Sequence, residues 1–203
     1  MRHAVAFVLL TLSISVSLTA APRVAVEPDL TVILKFNGAY SAPAIAKMRK
    51  ESARILAGSG LHIGWSSSED AAGQSFRELV VLTFKGACMF QAAPPRYDEL
   101  GPYASTVTAD GVVQPFGVVD CDHVAGSIHS AMTSEDYSHG DQLVGRALGR
   151  VVAHELVHML THSTQHGHEG VETPSLTARQ LIEGSLPLSR EDADRLRLEL
   201  KSH

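Results

Sequence analysis

Positive charge is in short supply in this chain. Its 17 lysines and arginines face 22 acidic residues, for a formal charge of −5, and no stretch gathers the cations into a stripe. A phosphate backbone is bound through such a stripe, so the composition argues against a nucleic-acid partner. Cysteine is scarcer still, with only Cys88 and Cys121. Cys121 stands in Asp120-Cys121-Asp122-His123, but the sequence has no second close-spaced ligand pair of the kind a structural zinc module needs. Internal repeats and low-complexity tracts are missing as well. The one long apolar run, Ala4 to Leu18, falls short of the roughly 20 residues that span a bilayer.

What is present fits one exported domain. The chain has 203 residues, 44% of them hydrophobic, enough for a single core. Met1-Arg2-His3 followed by that apolar run and by Thr19-Ala20-Ala21 has the form of a signal peptide with cleavage expected after Ala20. Residues 1–20 are therefore expected to be removed and residues 21–203 to form the mature domain, secreted to a periplasmic or extracellular space with no stable membrane span. An oxidising compartment favours a Cys88–Cys121 disulfide. The closed loop of about 33 residues would contribute roughly 3 to 4 kcal/mol in the chain-entropy model.

Periodicity sets out the elements. Leu30 to Phe36 is β-branched and apolar, a buried strand. Ser41-Ala42-Pro43 opens a helix with Ile45, Met48, Ser52, Ile55 and Leu56 on one face, ended by Gly58-Ser59-Gly60. Leu61 to Trp65 and Glu78 to Phe84 read as two more strands. Pro94, Pro95, Gly101 and Pro102 mark a surface loop between Ala92 and Pro102. Ser105 to Thr108 and Val112 to Phe116 flank Ala109-Asp110-Gly111 as a hairpin, and Pro115 suggests that one partner lies at a sheet edge. Ser130 to Gly140 reads as a loop. A long helix then runs from Asp141, its expected N-cap, with Val144, Leu148, Val151, Val152, Leu156 and Leu160 on one face. Gly145 and Gly149 inside it suggest close approach of another element. Two short helices, 177–182 and 190–200, complete an α+β domain.

The chemistry concentrates in His154-Glu155-Leu156-Val157-His158 on the second half of the long helix. Residues four apart stand one above the other, so both imidazoles can reach one ion while Glu155 is turned aside toward a water. The neighbours Val151, Val152, Leu156, Val157, Met159 and Leu160 are all uncharged, as a buried metal helix requires.

Through this motif, and through the β-α-β-β-hairpin-helix order before it, the chain resembles the zincin metallopeptidases. That resemblance implies a small twisted mixed sheet with a backing helix and a long metal-binding helix, Zn2+ as cofactor, a peptide or protein substrate, and Glu155 as general base. The metzincin branch has a glycine three residues after the second histidine and a third histidine three beyond it; here those positions are Thr161 and Thr164. A catalytic zinc takes three protein ligands, and His166 is the expected third. His162 continues the helical series but lies about 12 Å along the axis from His154. His168 is a neighbouring candidate, and Glu183 would be the gluzincin-like one. Asp120, Asp122, His123 and His139 are candidates for orienting the ligating rings. A non-catalytic exported metal-binding protein is the alternative function.

Overall fold

The computed structural model describes residues 27–92 and 101–202. The expected signal peptide, and residues 93–100 of the Pro-rich loop, lie outside them. Strands β1 (Leu30–Asn37), β2 (Ile63–Ser67), β3 (Leu79–Lys85), β4 (Ala104–Ala109) and β5 (Val112–Asp120) form one sheet in the order β2-β1-β3-β5-β4. The pairs β1–β2, β1–β3 and β3–β5 are parallel, and β4 runs antiparallel to β5 at the edge. Leu30 through Leu34 are buried without alternation, as a parallel strand covered on both faces requires. In β3, by contrast, Val80, Leu82 and Phe84 are buried in alternation. Pro115 cannot donate to a ladder; it sits just before β5 begins to pair with β3 at Phe116, opposite the irregularity between Thr106 and Thr108 of β4.

Helix α1 (Ala42–Leu56) is capped by Ser41, whose hydroxyl accepts from the Ala44 N–H, and carries proline in its first turn. It packs along α3 (Gly140–Leu160) at the two glycines of that helix. A Cβ at Gly145 would lie 2.3 Å from the Ala44 carbonyl oxygen, and one at Gly149 would lie 2.8 Å from that of Met48. Near them Arg150 is 1% exposed. Its guanidinium donates to Glu51 of α1 and to the carbonyls of Gln180, Glu183 and Gly184. These last lie in and just after α4 (Ala178–Ile182), so one side chain ties α1, α3 and α4 together. Helix α5 (Arg190–Ser202) closes the chain.

Two expectations need correction. Asp141 does not cap α3: a 3-10 turn, Asp136–His139, runs directly into Gly140, and no side chain caps the helix. The Asp141 carboxylate instead accepts from the Ser41 hydroxyl and the Phe90 N–H, joining three segments. A further helix not expected from the pattern, α2 (Cys121–His129), is capped by Asp120, whose carboxylate accepts from the His123 N–H.

Cys121 opens α2 and is bonded to Cys88, with 4.9 Å between the α-carbons. Hydrogen bonds from the Cys88 N–H to Ala39 and from the Ser41 N–H to Cys88 bring the start of α1 to the same point. Thiol titration of denatured, unreduced protein is therefore expected to find no free thiol; two reactive thiols would rule the bond out.

Candidate metal centre

The long helix reaches the sheet at Gly117 of β5, where an added Cβ would lie 2.4 Å from the Met159 side chain. His158 lies next to Met159 in this last turn, and His154 one turn before it. Four residues apart on α3, the two rings meet with their Nε2 atoms 3.1 Å apart. Helix α3 ends at Leu160, Thr161 is its C-cap, and His162 takes a φ of +48°. This reversal sends the chain back so that His166 joins the pair. Ring centroids are 4.7 Å apart for His154 and His158, 5.2 Å for His154 and His166, and 4.8 Å for His158 and His166. One nitrogen from each of the three lies within 4.8 Å of the other two.

The hydrogen bonds assign the tautomers. His154 Nδ1 is 2.8 Å from the Val171 carbonyl oxygen, and His158 Nδ1 is 2.7 Å from that of Ser163. A carbonyl only accepts, so each Nδ1 carries a proton and donates, leaving each neutral ring with a lone pair on Nε2. Two lone pairs facing across 3.1 Å repel unless a cation lies between them. Protonation is a poor answer, because burial above all pushes His154 down to about 4. Burial lowers His158 as well. A metal ion fits: two ligands about 2.0 to 2.1 Å from a tetrahedral centre stand about 3.3 to 3.4 Å apart. His154 and His158 are largely buried while His166 is exposed, which leaves one side of the group open.

Glu155, 6% exposed, is raised to about 7 by burial alone. It opens with His154 onto a cavity of about 570 Å³, whose walls include Tyr103, His123, Val151 and Leu176. The edge strand β4 reaches this cavity through Ala104.

Other candidates fall elsewhere. His162 turns its Nδ1 toward the Val113 carbonyl, 3.3 Å away, and lines a different cavity of about 250 Å³ with Asp29, Arg77 and Glu78. His168 is exposed and outside the three-histidine group. The gluzincin-like candidate, Glu183, has a half-exposed carboxylate that faces Arg179 at 3.6 Å, while its backbone carbonyl accepts from Arg150. Asp122 accepts from the Ala87 N–H, and His139 is exposed at the start of α3. Glu172 went unnoticed in the sequence. It is 0% exposed, its Oε1 lies 3.5 Å from His154 Nδ1, and burial, then Asp192, raises it to about 9. Gly170-Val171-Glu172-Thr173-Pro174 shows no periodicity that could have placed it.

A five-stranded mixed sheet over a long histidine-bearing helix defines a mixed α/β, zincin-like fold. The crystal structure of archaemetzincin from Methanopyrus kandleri is similar to it, with a TM-score of 0.52 over 90% of this chain and 99% of that one. The two sequences are 11% identical, so the likeness is one of fold. No family model matches the chain, and no curated protein does.

Proposed function

We propose that the chain is an exported zinc-dependent metallopeptidase in which His154, His158 and His166 hold the metal and Glu155 is the general base. The observation that carries the reading is the pair of Nε2 lone pairs 3.1 Å apart, each fixed by a carbonyl on the far side of its ring. The fold neighbour, an archaemetzincin, supports it at the level of fold. Export rests on the sequence of residues 1–20 and on the disulfide, which suits an oxidising compartment.

Zinc held there supplies Lewis-acid activation of a water and of the scissile carbonyl. The protein's own residues do the rest. The Glu155 carboxylate takes the proton of the attacking water as the carbon–oxygen bond forms. It returns that proton to the amine nitrogen as the carbon–nitrogen bond breaks. Burial makes the carboxylate more basic than one in water, in the direction this task requires. The side of β4 away from β5, unpaired among the described residues, can pair with an extended peptide, and the adjoining cavity can receive one of its side chains.

The test joins metal content to hydrolysis. The mature protein is expected to hold one zinc ion and to cleave members of a mixed peptide library. His166→Ala is expected to weaken zinc binding by at least about tenfold in competition with a chromophoric chelator, whereas His162→Ala and His168→Ala leave it largely unchanged. Zinc uptake without any cleavage would favour the non-catalytic metal-binding protein. A His166→Ala protein that holds zinc as tightly as the parent would remove His166 from the ligand set.

A further inference from the structure

Glu172 is the most deeply buried carboxyl among the described residues, with no exposed surface. Neither of its oxygens has a hydrogen-bond partner among those residues. A group of that kind is costly to bury, and an apolar side chain of similar volume would serve packing better. Its surroundings show what it gains. Oε1 stands 3.5 Å from His154 Nδ1, beside the bond that this nitrogen makes to the neighbouring Val171 carbonyl. The main-chain carbonyl of Glu172 accepts from the Gly167 N–H at 2.9 Å, one residue beyond His166. Gly167 is closely packed there: a Cβ would lie 3.2 Å from the Glu172 Cβ and 2.8 Å from Asp192 Oδ2. Asp192 is itself fixed by Ser189 and Arg195 of the last helical segment.

Resting on the metal-centre reading above, we infer that Glu172 is a positioning residue for the metal ligands. Its side chain backs the His154 ring, and its main chain holds the loop that carries His166. A ligand from the helix and a ligand from the loop are thereby set by one residue. At 3.5 Å the carboxyl oxygen makes no hydrogen bond, but its negative end faces the Nδ1–H beside the Val171 carbonyl, which favours the ring orientation that keeps Nε2 toward the metal. A polar partner behind the ring is the usual means of orienting a metal-bound imidazole, and its removal costs about 10- to 100-fold in metal affinity.

The experiment compares zinc affinity and zinc-free thermal stability in the parent, Glu172→Gln and Glu172→Leu. Glutamine keeps an acceptor oxygen at the same reach, so its zinc affinity is expected to stay within about threefold of the parent, whereas leucine lowers it about 10- to 100-fold. Leucine also removes an unpartnered buried carboxyl, so the zinc-free leucine variant is expected to melt above the parent. A residue needed only for the fold would behave the other way: a zinc-free Glu172→Leu protein that melts lower overturns the proposal. So does a leucine variant that binds zinc as the parent does, or a glutamine variant that loses as much affinity as the leucine one. A parent protein that takes up no zinc would overturn the metal centre itself; failure confined to the variants removes only the role of Glu172.

Discussion

Glu155→Gln is expected to keep its zinc and to lose peptide hydrolysis by about 10²- to 10⁴-fold, the usual contribution of a positioned general base. The amide matches the carboxylate in size and can stay in the same cavity wall, so metal binding through His154 and His158 is left alone. What it lacks is a site for the proton of the attacking water. Measuring kcat/KM at equal zinc occupancy separates the two effects. Near-normal turnover in the variant would show that another group accepts the proton, and neither catalytic loss nor metal retention can be read without the other.

The second large effect lies away from the chemistry. Arg150→Met is expected to destabilise the protein by about 3 to 5 kcal/mol, the usual cost of breaking a buried ion pair from one side. It would take from Glu51 its one fully buried cationic partner and leave the carbonyls of Gln180, Glu183 and Gly184 without their donor. Arg54 also reaches Glu51, at 2.8 Å, but from a half-exposed position. Arg54→Met should therefore cost less than about 1 kcal/mol. Urea unfolding of both variants checks the contrast, and an Arg150→Met loss below that of Arg54→Met would show that the buried fork is not what holds α4.

Most of the framework could be read from pattern because its physics is local. Leu30 to Phe36 and Glu78 to Phe84 are apolar enough to be strands in any compact fold, and Ser41 with Pro43 marks a helix start by itself. The paired histidines were legible because a helix has a fixed repeat. Gly145 and Gly149 likewise pointed to a close neighbour, which proved to be α1. Helix α2 is hard to see in the pattern because its short apolar face, Val124, Ala125 and Ile128, follows directly on the acidic Asp120-Cys121-Asp122 start, whose residue types suit metal chemistry as well as a cap. Asp141 misled in the opposite sense, since its bonds to Ser41 and Phe90 are tertiary and leave no local trace. Glu172 belongs with Asp141. Its place behind His154 depends on how a loop returns after a helix end, which no spacing along the chain encodes.

The Cys88–Cys121 bond has a topological consequence for the cleft. Between those two residues run β4, β5, Tyr103 and Ala104, so the whole edge hairpin and one wall of the cavity belong to a single covalent ring. A single backbone cut between Cys88 and Cys121 opens that ring without releasing a fragment: each side of the cut stays joined to the domain, through β3 or through α2, and the disulfide bridges the two. The domain is in this way nicked without being dismantled until a reductant parts the two sulfurs.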